Sequence, residues 1–308
     1  MHMKLAAVDL NLLVAFDALL TERNVSRAAQ KIGLSQSALS HALQRLRFLF
    51  KDELLVRGPG GMRPTPRALD LAIPIRNALE QISVAVNTGA EFDVVHSERN
   101  FNLGMSDYAA YLFGPPLITR VRKLAPGINI RIRHTGRADV RYWLENGSLD
   151  AAVGSFLAAS SRIARDHLFE DHFVCASWSG GDTRSVPMDV STYLGRPHLL
   201  VSVDGETTGL VDSTLSQMAL SRRIAAIVPH YLAAPPTLEG TDLVATVSSL
   251  VMERFKERHR LRLEPPPFEL PAIPVSILYL RRHEEDSGLR WLRRQVEQIA
   301  LELKATIP

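Results

Sequence analysis

Apolar residues recur at three- and four-residue steps through most of the first ninety positions. Leu12, Leu13, Phe16, Leu19 and Leu20 form a wide stripe, predicting a helix over 9–23 with Asp9 as N-cap. Ala28, Ala29 and Ile32 form a second, shorter stripe, and Gly33, which readily adopts positive φ, stops it. Leu34 is expected to plug the turn, and Ser35 to cap another helix. Along that helix Leu39, Ala42, Leu43, Leu46, Leu49 and Phe50 make one buried face. Ser37, Ser40, Gln44 and Arg47 fall on the opposite face. Val25–Phe50 thus reads as two short helices about a tight turn. Short polar side chains near the start of its second helix suit base edges in a major groove.

The pattern changes at Asp52. A short apolar run, a Pro-Gly-Gly turn and Arg63-Pro64-Thr65-Pro66-Arg67 predict a β-hairpin wing seated by Leu54, Leu55 and Val56. Arg57, Arg63 and Arg67 are placed to reach phosphates or the minor groove. From Thr65 or Pro66 a long helix runs to about Thr88, with Gly89 ending it and Pro74 kinking it. Ala68, Ala72, Ile75, Leu79, Ile82 and Val86 are spaced 4, 3, 4, 3, 4, a heptad seam. The seam predicts a dimerisation helix; packing on its own domain is the alternative.

From Asn100 the texture becomes α/β. Strands are predicted at Phe101–Met105, Ile128–Ile132 and Leu149–Val153. Helices are predicted at Tyr108–Leu124, broken near Gly114-Pro115-Pro116, and at Asp139–Glu145. This alternation implies a parallel sheet. A second set follows: strands near Leu168–Ala176, Leu199–Val203 and Ile224–Val228, and a helix Val211–Ala219. A strand Pro274–Leu280 and a helix Asp286–Leu303 close the chain. Two α/β halves place a ligand cleft at the carboxyl ends of the strands. That selects Ser106, Asp107, Tyr108, Thr135, Gly154, Ser202, Gly205, Thr207, Thr208 and His230. The free amides and hydroxyls of Gly205–Gly209, before a helix, suit a carboxylate or phenolate; a capped turn without ligand explains the loop equally well.

Charge sharpens this division. Residues 1–90 hold 11 Lys/Arg against 7 Asp/Glu, whereas the remainder holds 25 against 26. Between Asn24 and Lys51 there are five basic residues and no acidic one, the bias a phosphate backbone requires. The 308 residues and 46% hydrophobic content allow two or three domains with large cores. The start MHMKLAAVDLNLLVAF lacks a signal-peptide core, no run is long enough to span a membrane, and Cys175 is the single cysteine. A cytoplasmic location is expected. His167, Asp171, His172 and Cys175 invite a metal reading, but His172 and Cys175 are three apart on a predicted strand and point to opposite faces. No metal and no cofactor is predicted. Nucleophile-elbow, P-loop, zincin and Rossmann fingerprints are absent, which argues against an enzyme.

DLNLLVAFDALLTERNVSRAAQKIGLSQSALSHALQRLRFLFKDELLVR, followed by RPTPRA, closely resembles the winged helix-turn-helix of LysR-type transcriptional regulators. Ala28-Ala29, Leu34-Ser35-Gln36, Ser40, Leu43 and Leu46 match the family spacing, as do the wing Leu-Val-Arg and the Thr-Pro. Weaker similarity continues through SDY, LDAAVG and PHYLAAP, most like the regulators of nodulation and aromatic-compound degradation. The resemblance implies a winged helix-turn-helix (residues 1–66), a linker dimerisation helix (67–90) and a two-subdomain α/β, periplasmic-binding-protein-like domain (91–308). Subdomain I is expected over about 98–163 plus 270–308, and subdomain II over about 164–269. DNA contacts are expected from Arg27, Ser35, Gln36, Ser37, Ser40, Gln44, Arg45, Arg57, Arg63 and Arg67. Ser37 replaces a proline common in the family, Tyr279-Leu280-Arg281 departs from the subgroup's Trp-His pair, and the segment between Trp178 and Val186 is short.

The expected partners are promoter DNA, a small aromatic or carboxylate effector, further copies of the chain as dimer or tetramer, and RNA polymerase. Effector binding is expected to close the cleft and re-angle the dimers on half-sites about 34 Å apart. The alternative is a small-molecule sensor acting through protein contacts, with a degenerate DNA-binding domain.

Overall fold

A computed structural model of the chain describes residues 8–58, 61–86, 92–136, 139–156, 160–180, 188–202 and 205–305. Pro59-Gly60 of the wing turn, Gly89, residues 181–187 of the segment after Trp178 and the strand end at Val203 lie outside the described residues. Two compact units are present: residues 1–90 with 146–148, and 91–145 with 149–308.

In the first unit, helix α1 spans Asn11–Glu22. The Asp9 carboxylate accepts the Asn11 amide at 3.1 Å, and Arg23 turns left-handed (φ 47°) to end it. Asn24 caps α2 (Val25–Lys31) by accepting the Arg27 amide at 3.0 Å. Gly33 takes the left-handed turn at φ 69°, and Ser35 caps α3 (Gln36–Phe50) by accepting the Ala38 amide at 3.1 Å. Phe16, Leu19, Ala28, Leu39 and Leu46 form the shared core. Leu34 does not plug the turn: it is 43% exposed. Its amide closes the turn instead, donating to the Ala29 carbonyl at 2.9 Å.

The wing is an antiparallel hairpin of β1 (Leu55–Gly58) and β2 (Gly61–Pro64), with Val56 opposite Arg63. Leu54 and Leu55 seat it, while Val56 points outward because successive strand residues alternate faces. Asp52 locks the base of the hairpin. Its carboxylate accepts the Leu54 amide at 2.7 Å and the Thr65 hydroxyl at 2.6 Å, and those bonds hold it below the usual carboxylate range. Thr65 in turn accepts the Ala68 amide at 3.1 Å at the start of α4 (Pro66–Val86). The heptad seam divides: Ala68 and Ile75 are buried in this unit's core, whereas Ile82 and Val86 are exposed.

The second unit runs through β3 (Asn100–Met105), α5 (Asp107–Leu124), β4 (Asn129–His134), α6 (Asp139–Glu145), β5 (Ala151–Gly154) and β6 (Ile163–Asp171). It continues with β7 (Phe173–Trp178), α7 (Val190–Gly195), β8 (Pro197–Val201), α8 (Leu210–Gln217) and β9 (Arg223–Val228). It ends with α9 (Ala234–Leu238), β10 (Val244–Ser248), α10 (Ser249–Phe255), β11 (Leu261–Glu264), β12 (Ile273–Leu280) and α11 (Ser287–Lys304). The strands make two five-stranded sheets, ordered β4-β3-β5-β12-β6 and β11-β7-β10-β8-β9.

Three expectations need correction. The sheets are mixed: β4, β3 and β5 are parallel, as are β9, β8 and β10, but β12, β6, β7 and β11 join antiparallel. The supposed strand Leu168–Ala176 is two strands, one in each sheet, parted by His172 alone. The chain therefore enters the second sheet after residue 171, not at 164. Thirdly, α5 is continuous through Pro115 and Pro116. Those prolines remove two amide donors, but Leu112, Phe113, Leu117 and Val121 are all buried and hold the helix to the sheet.

Tyr193, wholly buried against β7, β8 and β10, shares a hydrogen bond with the Thr246 hydroxyl (2.7 Å) and accepts one from Arg222 at 3.0 Å. Arg222 also forks onto Asp212 at 2.8 and 3.0 Å. The neighbouring His198 imidazole has no exposure, and burial holds it at about 4 against an ordinary 6.5. At pH above 6.5 the ring is neutral folded or unfolded, so the shift has no effect. As pH falls from 6.5 towards 4 the unfolded chain takes the proton first, and stability drops by about 3 kcal/mol over that window. Urea midpoints at pH 7.5, 6 and 5 should fall accordingly, and His198→Gln should flatten this part of the decline. An equal decline in the variant would assign the acid sensitivity elsewhere.

Candidate nucleic-acid interface and ligand cleft

In the first unit the caps fix which side chains α3 presents. Ser37, Ser40 and Gln44 are exposed on the face opposite Leu39, Leu43 and Leu46. His41, passed over in the sequence, stands between Ser37 and Gln44 on that outward stripe at steps of four and three. Gln36 is oriented by Ser26, whose hydroxyl donates to its Oε1 at 3.1 Å. The hydroxyls of Ser35 and Ser37 are 3.0 Å apart.

The basic residues divide into two groups. Arg27 donates to the Glu22 carbonyl at 3.1 Å, Lys31 pairs with Glu22 at 2.9 Å and Arg45 pairs with Asp9 at 3.0 Å. Arg47 is turned away from the outward face: its guanidinium bonds the carbonyls of Glu53 (3.0 Å) and Leu55 (2.9 Å), bracing the wing against α3. Arg57, Arg63 and Arg67 are exposed and have no ion-pair partner among the described residues. Acidic partners outside the Asn24–Lys51 stretch, invisible to a local charge count, explain the first group.

In the second unit, Ser106, Asp107, Tyr108, Thr135, Gly154 and His230 gather at the carboxyl ends of β3, β4, β5 and β9. Ser106 caps α5. The Asp107 Oδ2 accepts the Leu232 amide, from the 3-10 turn Tyr231–Ala233 after β9, at 3.2 Å. The Tyr108 ring lies 5.6 Å from that of Tyr231. Its hydroxyl is committed inward, donating to Asp171 at 2.9 Å, and burial with the nearby carboxylate raises the phenol well above its ordinary value. The Thr135 amide donates to the Met105 carbonyl at 3.1 Å, which sets Thr135 beside Ser106. His134 and His230 meet edge-to-face, ring centres 5.5 Å apart. Gly154, at φ 156°, leaves room for Phe156; a side chain there would meet the ring at 3.3 Å. These pairs join the strand ends of one sheet to those of the other.

The loop after β8 is arranged differently. The Ser202 amide donates to the Val228 carbonyl at 2.9 Å, Gly205 is left-handed, and Thr207 and Thr208 are exposed. The start of α8, the position envisaged for an anion, already holds the Asp212 carboxylate, which accepts the Gly209 amide at 2.7 Å. The capped-turn reading fits this geometry. Cys175 is wholly buried beside Thr246, and burial pushes its thiol up to about 11, so it is not a reactive thiolate.

Comparison with known proteins agrees with both units. The family described as bacterial regulatory helix-turn-helix protein, lysR family, matches residues 10–69, and LysR substrate binding domain matches residues 96–300. The HTH-type transcriptional activator NagR of a Ralstonia species is 35% identical over 292 residues, covering 95% of this chain and 97% of NagR. Nodulation protein D 2 of Sinorhizobium fredii is 32% identical over 304 residues, covering 98% of this chain and 97% of the relative. The crystal structure of a probable transcriptional regulator from Pseudomonas aeruginosa superposes with a TM-score of 0.74 at 31% identity, covering 96% of this chain and 98% of the other. The chain belongs to the LysR family of transcriptional regulators. It is a DNA-binding regulator with an effector-binding domain, not an enzyme. Such regulators bind promoter DNA and small-molecule effectors and form oligomers. Among the described residues no helix is long and apolar enough to cross a membrane.

Proposed function

We propose that the chain is a cytoplasmic, ligand-operated transcriptional switch whose effector is a small aromatic or carboxylate compound held between the two sheets of the second unit. NagR, its relative, is a transcriptional activator, and activation through contact with RNA polymerase is the output assigned here. Residues 1–66 read DNA, 67–90 link and dimerise, and 91–308 sense. Ser35, Gln36, Ser37, Ser40, His41 and Gln44 face the bases, with Arg57, Arg63 and Arg67 on the phosphates and Arg27 and Arg45 beside them. The exposed Ile82 and Val86 at the end of α4 supply the part of the seam that needs a second helix, and pairs of dimers make the tetramer. The observation that carries the reading is the cross-sheet meeting of Asp107 with Leu232 and of His134 with His230. A ligand there touches both subdomains at once and so favours one relative angle over another. With an intact wing and a capped recognition helix, the sensor reading with a degenerate DNA-binding domain has no support.

DNase footprinting on the divergent promoter beside the coding gene tests this. Addition of individual benzoates and phenols at saturating concentration should change the footprint's extent or its hypersensitive bands without releasing the DNA. A footprint identical with every compound rejects ligand control by this class.

A further inference from the structure

Gln36, the first residue of α3, is not free to turn. Its Oε1 accepts the Ser26 hydroxyl at 3.1 Å, a bond that ties α3 to α2. Both side chains are exposed, so water competes with this bond in the free protein and it adds little to stability. Its consequence is orientation. The carboxamide oxygen is held toward α2, and Nε2 has no partner among the described residues. The neighbouring Arg27 is engaged elsewhere: its guanidinium donates to the Glu22 carbonyl at 3.1 Å and its amide to Asn24 at 3.0 Å. It leaves the Ser26–Gln36 bond undisturbed.

The rest is base chemistry, on the reading that α3 lies in the major groove. An unrestrained glutamine reads adenine by presenting both ends of its amide side by side, the oxygen to N6–H2 and Nε2 to N7. With Oε1 turned to α2 that pairing is lost, and the adenine N6–H2 is left without an acceptor. Once the groove is emptied of water, an unmatched donor carries a penalty. Guanine offers only acceptors along the same edge, N7 and O6, and suits a group that presents only its N–H2. We infer that Ser26 is a positioning residue for DNA recognition: by engaging Oε1 it sets Gln36 to read guanine and to reject adenine. Ser26 needs no base contact of its own; it acts through the amide. Position 26 and position 36 thus form one reading unit, although they stand on different helices and neither helical stripe links them.

Fluorescence anisotropy with the full-length protein tests the assignment. The probe is the operator from the divergent promoter beside the coding gene, with each base pair changed in turn to every alternative, at physiological salt. The position read by Gln36 is the one whose preference disappears in Gln36→Ala. There the wild type should favour guanine over adenine roughly tenfold, within the range of one good side-chain–base pair. Ser26→Ala frees the amide to rotate, and the ratio should fall to about threefold or less, chiefly because adenine binds better. Ser26→Thr keeps the hydroxyl and should keep the wild-type ratio. Binding to an unrelated duplex and the urea midpoint should be the same in wild type and both Ser26 variants. A docking or folding defect would move every position together and so cannot mimic a change at one. A wild-type preference for any other base at that position overturns the proposal. So does a guanine preference that survives intact in Ser26→Ala; in both cases Gln36 still stands as a base reader. If Gln36→Ala alters the preference at no position, the placement of Gln36 on the bases falls, and this assignment with it.

Discussion

Asp171→Ala is expected to destabilise the second unit by about 3–5 kcal/mol. Asp171 ends β6, one residue before the chain crosses into the second sheet, and its side chain is wholly buried. Its Oδ2 accepts from the Tyr108 hydroxyl at 2.9 Å and from Ser248, and its Oδ1 from the Ser249 hydroxyl and the His172 amide, each at 2.7 Å. Tyr108 belongs to α5, packed on the first sheet; Ser248 and Ser249 stand where β10 of the second sheet gives way to α10. No cation pairs with this carboxylate among the described residues, so its solvation rests on these donors. Alanine leaves the Tyr108, Ser248 and Ser249 hydroxyls buried and without this acceptor, and each orphan costs about 1–3 kcal/mol before relaxation. Tyr108→Phe removes one donor and keeps the ring, so a loss near 1 kcal/mol is expected. Urea unfolding followed by circular dichroism separates the two variants. A loss below about 1 kcal/mol for Asp171→Ala would show that water replaces the carboxylate and that the crossing is not held here.

That crossing also shows where sequence reasoning stops. In the first unit one face of each helix is polar, so periodicity finds the centre of each buried stripe (Leu12, Phe16, Leu19, Leu39, Leu43 and Leu46), while residues at its edges such as Leu13, Leu20 and Leu49 are only half-buried, and Ser35 and Thr65 mark two of the starts. In the second unit β5, β10 and most of β12 are buried on both sides, and a stretch of strand-forming residues carries no mark of where it changes sheets. Leu168 to Ala176 contains neither Gly nor Pro, and the one local signal is the polar run Glu170-Asp171-His172 in a strand otherwise fit for a core. A rule about strand ends singled out Ser106, Asp107, Thr135, Gly154 and His230, and the fold does bring these residues to one set of strand ends. The rule could not tell that Tyr108 turns its hydroxyl inward to Asp171, or that Asp212, three residues past Gly209, already fills the start of α8. Partner choice has the same limit. Arg27, Lys31, Arg45 and Arg47 look alike as sequence, yet Glu22, Asp9 and the carbonyls around Glu53 engage them within the fold.

That partition of cations leads to a result measurable on DNA. The double substitution Arg57→Ala with Arg63→Ala is expected to weaken operator binding about thirtyfold at 0.15 M salt and to shallow the salt slope by about 1.8. Both guanidiniums are exposed on the wing, on paired strands, and neither has an ion-pair partner among the described residues. Each phosphate neutralised releases about 0.9 of a counterion, a factor of about five at that ionic strength. The loss should be nearly the same on operator and on unrelated duplex, because a phosphate contact carries no sequence information. Gln36→Ala should behave in the opposite way. Its Oε1 is already held by Ser26, which fixes the carboxamide and leaves Nε2 as a positioned donor at the start of α3. Its removal should cost about 1–3 kcal/mol on the operator alone, with the salt slope unchanged. Fluorescence anisotropy on the two duplexes across a salt series distinguishes the patterns. An unchanged slope in the wing variant would mean that the wing stands clear of the backbone, leaving α3 to dock without it. Equal losses on both duplexes for Gln36→Ala would move base reading along α3 to Ser37, Ser40, His41 and Gln44, the other exposed polar groups of the outward stripe.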